Sequence, residues 1–410
     1  MDDSSTAGDA GPRRLAAASL LALGGVGYGS LLFVWFSLPA YLSPIIDDLG
    51  LTGLQAGVLA GAVPLTYIPL GLASGLLVDR IGARRAITAG IALAGLGQLG
   101  RAFAPEFWTM LALTLVLGVG ATGLTFGLPK LAAELYPPER VGRAASVYLV
   151  GSSAGSAAAF GLGRPIIGPA LGGWQPLFVV SGITTIAVAV GWFVASNAVA
   201  AGRYETDEAA FTRASLLADL RAVFESRGLR LLVVVGTMYL LISHGTQGWL
   251  VTILESRGFE PGVAGTVTSL LVVANVVAVL AVPALAERFD RRNETLIVCP
   301  ALALAGLVGL LVAPAGALVV VPVILVGLGI GGLSPLIRAI PVELDDVGPA
   351  LTGTAVGLVF AVGEIGGFLG PVLVGALADA TGSFAPGIAV LAAGAVVAAI
   401  AGASMPDLDG

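Results

Sequence analysis

Apolar runs long enough to cross a lipid bilayer recur from residue 18 almost to the C-terminus, and most of the links between them are only a few residues long. A water-soluble core cannot absorb so many continuous apolar segments, since one membrane crossing takes about 20 such residues. Bounded by charges and by Gly or Pro turns, the runs place spans at roughly 18–43, 54–78, 86–104, 108–132, 143–171, 175–198, 230–253, 262–286, 294–313, 316–341, 350–378 and 386–404. Twelve spans are expected. Composition agrees, with 57% hydrophobic residues, 11% charged residues and a mean hydropathy of +0.96. Little chain remains for a separate soluble domain.

One long polar stretch, 199–229, divides the spans six and six. The expected organisation is a cytoplasmic tail (1–17), a six-helix bundle (18–198), a cytoplasmic linker (199–229), a second six-helix bundle (230–404) and a tail (405–410). In the linker, Leu216, Leu217, Leu220, Val223 and Phe224 follow helical spacing, which suits a short amphipathic helix on the membrane surface. Pro12-Arg13-Arg14 superficially matches an export signal, but acids precede it and no cleavage site follows, so the run reads as an uncleaved first helix. Arginines gather in alternate links, and the positive-inside rule then puts both termini in the cytoplasm of a multi-pass plasma-membrane protein.

The net charge of −6 argues against a nucleic-acid partner. Cys299 is the only cysteine, so a disulfide framework and a thiolate metal site are both excluded. No paired acids, H-E-x-x-H or nucleophile motif lies in the spans, so neither an enzyme nor a cofactor or metal is expected.

The two halves repeat. Gly75-x-Leu77-x-Asp79-Arg80-x-Gly82-x-Arg84-Arg85 sits between the second and third spans, and about 208 residues later Glu287-Arg288 falls at the same place between the eighth and ninth. Gly118-Val119-Gly120 with Glu134 likewise matches Gly327-Leu328-Gly329 with Glu343. In the fifth span Gly155, Gly168, Pro169, Gly172 and Gly173 form a glycine-rich pattern, which the eleventh repeats with Gly357, Gly366, Gly370, Pro371 and Gly375.

The loop G-x-L-x-D-R-x-G-x-R-R, the glycine motif and the span count resemble the major facilitator superfamily over nearly the whole chain. That resemblance implies twelve transmembrane helices in two six-helix bundles related by pseudo-two-fold symmetry, with a central site exposed to each side in turn. The segment from Leu128 to Phe160 is similar in flavour to cyanate, nitrate and related small-anion porters. Tyr67-Ile68-Pro69 stands where nitrate porters place Arg-Ile-Pro, and Thr114 and Leu117 replace the Arg and Gln of the family's fourth-helix motif.

Charges inside the spans are the candidate chemistry, because a buried ion needs water or a partner. Arg164 takes the middle glycine slot of the fifth-span motif and is expected to face the central cavity as an anion ligand. Lys130, the only lysine, and Arg338 recur near the ends of the fourth and tenth spans, either binding substrate or snorkelling to water. Glu364 and His244 lie mid-span and are the candidates for proton or ion coupling. Tyr28, Trp35, Tyr67, Trp249 and Gln247 are candidate cavity walls. Asp79, Arg80, Arg84, Arg85, Glu287 and Arg288 are expected to gate the arginine-rich end, with Asp79 reaching a helix N-terminus or an arginine of the opposite bundle. Arg101 reads as a snorkelling end-of-helix residue.

A monomeric carrier of a small, anionic solute is thus expected. The alternatives are proton-driven efflux of hydrophobic compounds and a membrane sensor that does not transport.

Overall fold

The computed structural model describes residues 6–199, 225–289, 291–314, 316–344 and 347–406. Twelve long helices run through them: α1 (Thr6–Ala40), α2 (Gly53–Ile81), α3 (Ala83–Arg101), α4 (Phe107–Leu135), α5 (Pro138–Ala158), α6 (Trp174–Ala198), α7 (Arg227–Ser256), α8 (Pro261–Phe289), α9 (Arg292–Val312), α10 (Val320–Glu343), α11 (Gly348–Thr381) and α12 (Ala385–Ala403). A short helix, Leu42–Leu49, follows α1, and α5 continues through a π segment, Ala159–Ile167, to a last turn, Gly168–Leu171. There is no strand among the described residues.

Eleven of the long helices are apolar enough to cross a membrane. The other, α3, carries Arg84, Arg85 and Arg101, yet its Ala86, Ile87, Ile91 and Ala94 are buried in the first bundle. The first helix runs from Thr6 to Ala40, where the apolar run alone suggested 18–43. Residues 200–224 of the linker, with most of its expected amphipathic helix, lie outside the described residues.

Neighbours repeat with a period of six helices. In the first half α1 packs on α5 and α6, α2 on α4, and α3 on α4 and α6. In the second half α7 packs on α11 and α12, α8 on α10, and α9 on α10 and α12. The two seams between the halves, α2 against α11 and α5 against α8, exchange under the same operation. Pseudo-two-fold symmetry is therefore visible in the packing itself.

Lipid tails are as apolar as leucine, so helices in a membrane associate through close packing rather than hydrophobic burial, and small residues mark the contacts. Gly25 and Gly29 of α1 meet Gly151 and Gly155 of α5 backbone to backbone. In the second half Gly366 and Gly370 of α11 lie against the carbonyls of Thr237 and Leu241 of α7.

Between the halves, a Cβ at Gly57 would lie 2.5 Å from the Pro371 carbonyl oxygen, and one at Gly61 2.8 Å from that of Phe368. Along the same line a Cβ at Gly71 would be 3.6 Å from Ala361, whereas at Gly75 and Gly357 it would meet nothing within 4 Å among the described residues. The antiparallel pair α2 and α11 is thus closed at the arginine-poor end, and among the described residues its glycine contacts loosen toward the arginine-rich end.

Gly155→Ala is expected to lower stability by about 1–3 kcal/mol through overpacking against the Gly29 carbonyl. Gly142→Ala, in open space on the same helix, should be neutral or stabilising by up to about 1 kcal/mol. Thermal unfolding of the purified variants checks this, and equal melting temperatures would contradict the packing account.

Candidate functional site

The mid-span residues singled out by charge or aromaticity converge where α1 and α2 face α7 and α11. Trp35 of α1 stacks on His244 of α7, with centroids 5.7 Å apart and rings 6° from parallel. Tyr67 of α2 packs on the same indole at 6.3 Å. Its hydroxyl shares a 2.8 Å hydrogen bond with Thr125 of α4, which also lies 3.4 Å from the Tyr28 hydroxyl. An aromatic wall from the first half therefore leans on the one histidine of the second.

Behind His244, a Glu364 carboxylate oxygen of α11 lies 3.8 Å from imidazole Nε2. That oxygen is buried and makes no hydrogen bond among the described residues. Gly367 leaves the room it occupies, since a Cβ there would fall 2.6 Å from it and 3.3 Å from Pro64 of the facing α2. A carboxyl and an imidazole just beyond bonding distance can gain a hydrogen bond when one proton is shared between them and lose it when the proton leaves. The pair also sits on the seam that must separate if the halves move.

Gln247 lies one turn beyond His244 and lines a cavity of about 130 Å³ between α1, α5, α7 and α8. Trp249 does not share it. Its Nε1–H donates to the Pro371 carbonyl at 2.8 Å, and its ring is buried against Phe384 within the second half.

The three cations singled out within spans have different fates. Lys130 donates to Asp79 at 2.6 Å, a pair within the first half. Arg164 binds Glu255 of α7 through Nε at 3.0 Å and through Nη2, and its guanidinium lies over the Tyr41 ring at 4.7 Å. Pro165, which has no N–H, sits in the π segment that carries Arg164. Arg338 of α10 donates to Ser334 one turn back and lies 4.5 Å over the Phe360 ring. Among the described residues no carboxylate pairs with Arg338, although Tyr28 and Tyr148 of the first half lie within its electrostatic reach.

At the arginine-rich end, Asp79 meets a lysine of its own half and, among the described residues, no group across the interface. Arg84 donates to the Ser196 and Val199 carbonyls at the end of α6, at 2.6 and 3.1 Å, where a cation complements the helix dipole. Arg80, Arg85, Glu287 and Arg288 are exposed.

The contact expected of Asp79 occurs instead at the opposite end, made by Asp379. Its two carboxylate oxygens accept the backbone N–H groups of Gly53 and Leu54, at 2.6 and 2.8 Å, at the first turn of α2. With Arg164–Glu255 and a 3.3 Å bond between Ser43 and Thr252, it forms a latch across the seam. Sequence reasoning missed Asp379 and Glu255. Each lies in the last turn of its own helix, where a negative charge opposes the macrodipole, and that misfit was the available signal.

Arg101 corrects an expectation. It is fully buried, not snorkelling, and donates to the Val34 carbonyl and the Gln98 side chain, with the Phe178 ring 5.2 Å away. Gln98 in turn donates to Ser37 and Ser181 at 3.0 and 2.9 Å. This internal polar nest draws the guanidinium inward, although its Nε and Nη1 find no partner among the described residues.

A family model for the Major Facilitator Superfamily matches residues 24–371. The chain is 28% identical over 360 residues to the 3-(3-hydroxy-phenyl)propionate transporter of Escherichia coli (strain K12), covering 84% of this chain and 85% of the relative. It is 26% identical over 311 residues to the gentisate transporter of Corynebacterium glutamicum, covering 74% and 68%. Its fold is similar to the crystal structure of a bacterial homologue of the human lysosomal transporter Spinster in an inward-facing, unoccupied conformation. The TM-score is 0.77 at 18% identity, with 95% and 96% of the two chains covered.

Asp379→Asn combined with Arg164→Ala should open the latched end. A Thr252→Cys reporter, buried there, is expected to react about tenfold faster with a membrane-impermeant maleimide, since charge-assisted hydrogen bonds of this kind shift populations by roughly that factor. Unchanged labelling would show that the latch does not hold this conformer.

Proposed function

The chain belongs to the Major Facilitator Superfamily, and on that premise we propose that it is a secondary transporter of a small organic acid, bound as its anion and coupled to a proton. The observation that carries the anionic substrate is Arg338, the one span cation of the three that no described carboxylate neutralises. Guanidinium is suited to carboxylate recognition, since it stays charged and presents paired donors. The two relatives above are named for carboxylic acids, which supports the same class.

Glu364 and His244 supply the coupling. An ionised Glu364 repels an incoming anion, and protonation removes that repulsion. By linkage, the bound anion favours the protonated carboxyl to the same degree. The sign follows: anion affinity rises as pH falls, and proton and anion travel together. Trp35 and Tyr67 form the wall against which an aromatic or planar acid would lie.

The arginine-rich end faces the cytoplasm of the plasma membrane by the positive-inside rule, so the conformer described here opens inward. Asp379 and the Arg164–Glu255 pair hold the outer end shut. The Asp79–Lys130 pair would break when Asp79 engages the second half in the outward-facing conformer.

Proteoliposome uptake of 3-(3-hydroxyphenyl)propionate tests this reading. Arg338→Ala is expected to reduce uptake roughly 10–100-fold, the effect of one charge-assisted contact, and Arg338→Lys to retain part of it. Glu364→Gln, a mimic of the protonated carboxyl, should bind without pH dependence and lose accumulation driven by an inward proton gradient. Uphill accumulation by the Gln variant would overturn the coupling role, and full uptake by Arg338→Ala the anion site.

A further inference from the structure

We infer that the small cavity between α1, α5, α7 and α8 is a hydroxyl-recognising subsite, so that the transported acid carries a neutral hydroxyl away from its carboxylate. The inference rests on the transport reading above and adds the part of the substrate that Arg338 does not read.

The lining comes from both halves: Ser152, Ser153 and Ser156 from α5, and Tyr239, Gln247 and Asn275 from α7 and α8. No ionisable acid or base lines it apart from the phenol of Tyr239. The remaining hydrogen-bond capacity is specific. The Ser152 hydroxyl donates to the Leu149 carbonyl at 2.8 Å and that of Ser156 to the Ser153 carbonyl at 3.1 Å, so their protons are used and their oxygens remain acceptors. Gln247 donates its amide to the Ser243 hydroxyl at 2.9 Å, which leaves its carbonyl oxygen as a further acceptor. The Ser153 hydroxyl, the Tyr239 phenol and the Asn275 amide make no side-chain hydrogen bond among the described residues, and each can donate.

Acceptors and donors without a countercharge suit a group that both gives and takes a hydrogen bond. A carboxylate would meet acceptor oxygens and no cation, whereas a hydroxyl satisfies both kinds of partner. The volume of about 130 Å³ leaves room for a hydroxyl with the adjacent edge of a ring. Leu32 lies one turn from Trp35 and Ser243 adjoins His244, so the subsite is next to the aromatic wall. Because each half supplies part of it, the hydroxyl would be held only while the seam is closed around it.

The test is the ratio of kcat/KM for 3-(3-hydroxyphenyl)propionate over 3-phenylpropionate in proteoliposomes, for the wild type, Ser153→Ala and Asn275→Leu. A site that pairs with a hydroxyl discriminates strongly against the analogue without it. The wild-type ratio is expected to be about tenfold or more, falling to within about threefold of unity in the variants. The ratio does not depend on how much variant protein folds. A wild-type ratio near one, or a high ratio that survives both substitutions, overturns the subsite while leaving the transport reading intact. Transport of neither acid by the wild type, with no effect of Arg338→Ala on binding, overturns that reading and the subsite with it.

Discussion

A charge carried into a bilayer has to be neutralised, solvated by a polar nest or turned toward a water-filled path, and this requirement sorts the ionisable groups of the chain. Lys130 is neutralised by Asp79, and Arg164 by Glu255. Arg101 is enclosed by Gln98 and a backbone carbonyl above an aromatic face. What is left over is informative: the Arg338 guanidinium without a described acid, and the Glu364 carboxyl facing an imidazole it does not quite reach. They lie on the helices of one half that face the aromatic residues of the other. The place where charge is unresolved is where an anion and a proton can be accommodated.

The second constraint is mechanical. Close packing in lipid requires small residues, and glycines accordingly line both the contacts that hold each half together and the seams that join the halves. Backbone contact within a half makes it a rigid body. Between the halves, the same kind of contact covers only part of the α2–α11 line and, among the described residues, ends before Gly75 and Gly357. A seam closed over part of its length by carboxylate-to-helix and guanidinium contacts can be undone one end at a time, as alternating exposure of a central site demands.

Much of this was legible in the residues. Helix number, the six-and-six division and the glycine contacts follow from apolar run lengths and from a repeat at about 208 residues. His244 and Glu364 stood out because a titratable group at mid-span has few structural reasons to exist, but their meeting with Trp35 and Tyr67 did not. Partner choice was not legible. Whether Arg164 meets a solute or Glu255 depends on two helices 91 residues apart in sequence, and periodicity along one helix carries no information about its neighbour's register. Arg101 shows the same limit: three arginines mark α3 as polar, but only the packing of α1 and α6 reveals the nest that holds the last of them inside.

On the transport reading proposed above, the two halves pivot against each other, one end opening as the other closes. Spin-label distances report it directly, with one pair of labels at Gly75→Cys and Gly357→Cys and the other at Ser43→Cys and Thr252→Cys, each in a Cys299→Ser background. Adding acid substrate at low pH, or introducing Asp379→Asn, should shorten the first distance and lengthen the second in the same sample. Two distances that stay fixed, or that lengthen together, would contradict the pivot.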